Sequence, residues 1–101
     1  MFNYDQAVRA CREHRFLVGS QISKGFRITG MIEEVIVAPL DGISQYRFLK
    51  EYKQSRNAEQ ALQVYKGDLY TVLLIGSSPG NKKDIITIEL DRFLAGQVQA
   101  V

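Results

Sequence analysis

The chain has 101 residues, 46% hydrophobic and 24% charged, with a formal net charge of +2, which describes one globular domain with one core and excludes a disordered or collagen-like chain. A chain of this size leaves little room for a deep, enclosed active site, so shallow binding surfaces are expected before enzymatic ones. A single cysteine, Cys11, and a single histidine, His14, exclude a disulfide framework and an ordinary zinc site, and they point to a reducing, cytoplasmic setting with no cofactor.

The first predicted element is a helix from about Tyr4 to Arg15. Asn3 caps it, Gln6 completes a capping box, and Tyr4, Ala7, Val8 and Cys11 share one thin apolar face. This start lacks the basic-then-apolar order of a signal peptide. From Phe16 the period becomes two. Phe16 and Val18 fall on one face and Leu17 on the other, and Ser23-Lys24-Gly25 supplies a turn. Phe26, Ile28, Gly30 and Ile32 then alternate with Arg27, Thr29, Met31 and Glu33. The alternation slips at Glu33-Glu34, where Val35 and Val37 take the phase that Glu33 held. That slip predicts a β-bulge or bend of the kind that turns a corner in a small barrel.

Pro39, Asp41 and Gly42 mark a reversal. Tyr46, Phe48 and Tyr52 then alternate with Arg47, Leu49 and Glu51 as a strand, although Ser44 as a cap and the helical spacing of Phe48, Leu49 and Tyr52 leave a helix open. Asn57 with Gln60 repeats the capping box, Ala58, Ala61, Leu62 and Tyr65 recur at helical spacing, and Gly67 stands as a stop. A helix over 57–66 follows. Leu69 to Ile75 is a nearly unbroken apolar run, the mark of a fully buried central strand with Leu73 in the core, and too short to span a bilayer. Gly76 to Lys83 reads as a loop, after which Ile86, Ile88 and Leu90 alternate with Thr87 and Glu89, with Ile88 facing inward. Asp91 is placed to cap one turn through Phe93 and Leu94 to Gly96. Gln97 to Val101 closes an edge strand or frays.

Charge is unevenly spread. Arg9, Arg12, Arg15, Lys24 and Arg27 outnumber Asp5 and Glu13, and Arg47, Lys50, Lys53, Arg56 and Lys66 outnumber Glu51 and Glu59. Between these stretches Glu33, Glu34 and Asp41 stand without a basic residue. A basic face that steers an anionic partner, or one that is merely solvated, is expected opposite a neutral-to-acidic face.

Few residues offer chemistry. Cys11 and His14 sit one helical turn apart, but a metal would need carboxylates to complete its shell, and a base so placed serves no cleft. The Gly76–Lys83 segment resembles a phosphate-binding loop but has the wrong glycine spacing and leads into a strand. Glu33 and Glu34 point to opposite faces of a strand unless a bulge turns them, and they serve more simply as edge charges against aggregation. Tyr46, Arg47, Phe48, Lys50, Tyr52, Lys53 and Arg56 interleave aromatics with cations. As a strand this segment makes a stacking platform for single-stranded nucleic acid, or else its aromatics are core.

Three stretches, Gln45 to Tyr52, Leu62 to Thr71 and Ile86 to Phe93, resemble parts of the WYL domain, a small SH3-like β-barrel often appended to bacterial transcription regulators. Of that family's signature Trp-Tyr-Leu only Tyr70 stands here, within Leu69-Tyr70-Thr71. Asp84 or Ile85 replaces the arginine usual before the last strand. The resemblance implies binding of nucleic acid or a small anionic effector, with Tyr70 and Arg92 at the matching positions, and a strand where the spacing at 58–65 predicts a helix.

The expected fold is a single α+β domain over 1–101: an N-terminal helix packed on a bent antiparallel sheet or small SH3-like barrel of about five strands, with a second helix near 57–66. The expected function is a non-enzymatic binding module. One version binds nucleic acid or an anionic ligand through Tyr46, Arg47, Lys50, Tyr52, Lys53, Arg56, Tyr70 and Arg92. The other binds a protein partner, or itself, through an exposed strand edge or apolar patch. Neither version involves a membrane.

Overall fold

The capping box at the start of the chain forms as its residues require: Asn3 Oδ1 accepts from Gln6 N–H at 2.8 Å and Gln6 Oε1 accepts from Asn3 N–H at 3.0 Å. It opens α1 (Tyr4–Glu13) in a computed structural model that describes residues 2–24, 27–78, 80–95 and 99–100. The expected turn residue Gly25, the strand residue Phe26, and Pro79, Gly96, Gln97, Val98 and Val101 lie outside the described residues. Arg15–Leu17 forms a 3₁₀ turn instead of the expected strand, burying Leu17 and leaving Phe16 and Val18 exposed.

The strands are β1 (Gln21–Lys24), β2 (Arg27–Pro39), β3 (Tyr70–Ser78), β4 (Asn81–Glu89) and the two-residue β5 (Gln99–Ala100). They form one antiparallel sheet in the order β4-β3-β2-β1-β5, curled into a half-barrel. The predicted bulge is present, since the β2–β3 register shifts between Ile32 and Glu34. It explains why Ile32 and Val35, an odd number of residues apart, enter the same core cluster. Gly30 and Gly76 permit the curl. A Cβ on either would stand 2.5 Å from a carbonyl oxygen of the neighbouring strand, Ser77 O and Met31 O respectively.

The segment expected as a strand over Tyr46 to Tyr52 is helix α2 (Gly42–Ser55). Asp41 Oδ1 caps it by accepting from Ser44 N–H at 2.9 Å, and the same hydrogen bond holds the Asp41 carboxyl below its ordinary pKa. The aromatic-cation alternation satisfied both periods, and burial decided between them. Phe48 and Tyr52, one turn apart, pack against Ile36, Ala38, Leu73 and Ile75. Arg56, in the left-handed conformation at φ 55°, ends the helix. Helix α3 (Ala58–Leu62) starts where expected, with Asn57 Oδ1 accepting from Gln60 N–H, but stops short of Gly67. The expected loop over Gly76 to Lys83 is mostly strand, because β3 continues to Ser78 and β4 begins at Asn81. The chain reverses there through Gly80 at φ +83°. Helix α4 (Leu90–Leu94) follows β4 without the expected Asp91 cap; Glu89 holds the cap position and makes no side-chain bond there.

Among the described residues two cores result, one on each face of the sheet. Ala7, Cys11, Val35, Val72, Leu74, Leu90 and Phe93 fill the α1 and α4 side, with Ile88 partly buried against them. Leu73 and Ile75 join Phe48 and Tyr52 on the α2 and α3 side. β3 is thus covered on both faces, as its continuous apolar run predicted. No helix among the described residues is long and apolar enough to cross a membrane.

Candidate functional site

The expected aromatic platform does not exist as a strand face. On α2, Tyr46 is 71% exposed while Tyr52 is fully buried and stacked on Phe48. The helix instead keeps Tyr46, Lys50 and Lys53 on one outer side at i, i+4 and i+7, with exposed Arg47 beside them and Arg56 at the helix end. Tyr70, at the start of β3, is held edge-on by Tyr4 and Tyr65, with ring centroids 5.4 and 5.3 Å away. Arg92 is exposed on α4, a different element. The segment Gln45 to Tyr52, one of the stretches that carry the WYL resemblance, is part of helix α2, and the strand that the resemblance implies at 58–65 is for the most part helix α3.

Cys11 and His14 are each engaged separately. The Cys11 thiol donates to Val35 O at 3.0 Å, and His14 Nδ1 lies 2.8 Å from Ala10 O. Burial pushes the Cys11 thiol above its ordinary pKa, offset in part by Arg15. Among the described residues no group of three His, Cys, Asp or Glu side chains is placed to hold a metal. Glu33 accepts a hydrogen bond from Ser77 Oγ, whereas Glu34 is acted on chiefly by partial burial and by Arg56. Glu33 adds a smaller like-charge push on the Glu34 carboxyl, but the two make their main contacts with different partners, Ser77 and Arg56.

What the structure assembles is a strand edge. β1 pairs with β2 only as far as Met31, and Gly19 and Ser20 extend the contact to Ile32. From Glu34 to Ala38, the outer side of β2 faces no strand among the described residues. Three bonds fix which groups point there. Leu40 N–H donates to Leu69 O, and Tyr70 exchanges both its backbone bonds with Phe2 on the far side of β3. Thr71, Leu73 and Ile75 therefore face β2 and bond Ala38, Ile36 and Glu34, their register partners. Val35 and Val37 turn their N–H and C=O groups outward, which is why Cys11 can reach Val35 O. Pro39 occupies the next outward position, where a missing N–H costs the ladder nothing.

A cleft of about 320 Å³ runs over this edge. Tyr4, Val8, Cys11 and Arg15 of the α1 side form one wall, Ala58, Glu59 and Leu62 of α3 the other, and Glu34 to Val37 the floor. The volume is at the bottom of the range for small-molecule pockets, and the floor is backbone. The chemistry on offer is hydrogen bonding to main chain between two partly apolar walls. The bulge at one end and Pro39 at the other confine the usable window to Glu34–Ala38. An exposed edge was anticipated in general terms, but its position was not. The signal lay in the shortness of β1 beside a strand as long as β2.

Comparison with protein-family models, with characterised proteins and with solved structures finds no match to this chain.

Proposed function

We propose that the chain is a protein-interaction module that takes up an extended segment of another polypeptide as an added strand along the outer edge of β2. The observation that carries this reading is the outward set of main-chain groups at the base of a cleft walled by α1 and α3: the N–H groups of Val35 and Val37 and the C=O of Val37, with Val35 O already accepting from the Cys11 thiol. Strand addition draws affinity from such groups and specificity from the side-chain walls beside them. A peptide-display selection tests it. Peptides recovered on the native protein should alternate apolar and polar residues and should lose binding to Val37→Pro, which removes one outward donor. Recovered peptides that bind Val37→Pro equally well would defeat the reading.

A second reading rests on the outer face of α2, where Tyr46, Arg47, Lys50, Lys53 and Arg56 are exposed together. Such a surface favours nucleic acid or another polyanion, without the stacking by Tyr52 that a strand would have allowed. Oligonucleotide affinity that falls steeply with salt, and a slope flattened in Lys50→Gln/Lys53→Gln, would support it. Absence of binding at about 50 mM salt would remove it.

A further inference from the structure

Building on the strand-addition reading, we infer that the segment taken up is a heterologous peptide with β-branched residues at alternate positions and a Lys or Arg opposite Glu34, and that it is not the β2 strand of a second copy of this chain. The two faces of the cleft dictate the pattern. An added strand places the residues opposite Val35 and Val37 on the α1 face, against Val8 and Tyr4. β-Branched side chains suit such half-buried ladder positions.

The residue opposite Glu34 points to the other face, where Glu34 and Glu59 are both acidic and line the same cleft. Glu34 is exposed there, and its carboxyl is raised by its surroundings and by Glu33 against the opposing pull of Arg56. A cation on the incoming strand is complementary to both carboxylates.

The β2 strand of a second copy cannot supply that cation. Hydrogen-bonded positions must pair with hydrogen-bonded positions, so antiparallel self-pairing has few registers. Centred on Ile36, it sets Ala38 of the copy opposite Glu34. Centred on Val35 or Val37, it sets Ile36 or Leu40 there. Centred on Glu34, it sets carboxylate against carboxylate. None of these registers places a basic residue opposite Glu34.

The test uses two blocked, fluorophore-labelled peptides. One is Ser-Thr-Val-Thr-Val-Lys-Ser, whose lysine falls opposite Glu34 when its valines pair antiparallel with Val37 and Val35; the other replaces the lysine with glutamate. By anisotropy the lysine peptide should bind the native protein about fivefold more tightly, the scale of one cross-strand charge pair. Glu34→Gln should weaken that preference, Glu34→Gln/Glu59→Gln should erase it, and Glu34→Lys should reverse it. Equal binding of the two peptides, or a preference that survives Glu34→Gln/Glu59→Gln, overturns the inference. If neither peptide binds and the protein sediments as a dimer that Val37→Pro dissociates, strand addition stands and this inference falls. If neither binds and the protein is monomeric, both fall together.

Discussion

The Cys11 thiol donates to the carbonyl oxygen of Val35 at 3.0 Å, joining the last turn of α1 to the outer edge of β2. Phe2 bridges Tyr70 on the far side of β3, so α1 starts beyond one edge of this strand pair and reaches the other. The helix that covers the sheet thereby also builds one wall of the cleft.

Burial holds the Cys11 thiol in its neutral form. A thiol whose folded pKa is raised contributes stability that is present below its ordinary value and lost as pH rises through the folded one. The native protein should therefore lose denaturation midpoint as pH rises above the ordinary thiol value, relative to Cys11→Ala. Equal pH dependence in the two proteins would show that the thiol ionises freely when folded.

Partial burial likewise raises the Glu34 carboxyl, against the opposing pull of Arg56. Its favourable contribution belongs to acid pH and disappears as pH rises through the folded value, so the charged form is disfavoured at neutrality. Glu34→Gln should melt higher than the native protein near pH 7, and the difference should shrink in acid. A lower melting temperature at neutral pH would contradict this.

The parity of β2 predicts an asymmetry between neighbours. Val37→Pro removes an N–H that points outward and should cost about 1–2 kcal/mol, chiefly through packing, whereas Ile36→Pro breaks the β2–β3 ladder and should cost about 3 kcal/mol or more. Urea denaturation of the two variants measures it. Similar losses would mean that the outward assignment is wrong.

Tyr52 is fully buried, and its hydroxyl has no hydrogen-bond partner among the described residues. Removing a buried, unsatisfied hydroxyl should relieve a desolvation cost of about 1–3 kcal/mol. Tyr52→Phe should accordingly be more stable than the native protein in the same denaturation assay. A loss of stability would indicate a hidden partner.

Much of this architecture was legible in the sequence wherever one signal stood alone. The Asn3–Gln6 box, the phase slip at Glu33-Glu34 and the apolar run to Ile75 each had one physical solution. Tyr46 to Tyr52 did not. Its residues fit a pleated face and a helical stripe equally, and the sheet surface of Ile36, Ala38, Leu73 and Ile75 that selects the helix is non-local. Gly76 was expected in a loop because glycine usually marks one, whereas here it admits Met31 O to close range within the sheet. The cleft was illegible for a related reason. An edge is defined by where its neighbour stops, and β1 ends by its register with residues 27–31, which no local pattern announces.

Residue-resolved amide hydrogen exchange across β2 tests the free edge, and with it the proposed strand addition, most directly. Without peptide, the Val35 and Val37 amides should exchange fast while those of Glu34, Ile36 and Ala38 stay protected, and saturation with the lysine-bearing peptide should protect Val35 and Val37 as well. Protection of Val35 and Val37 in the free protein equal to that of their neighbours, or no gain in protection when peptide is bound, would contradict it.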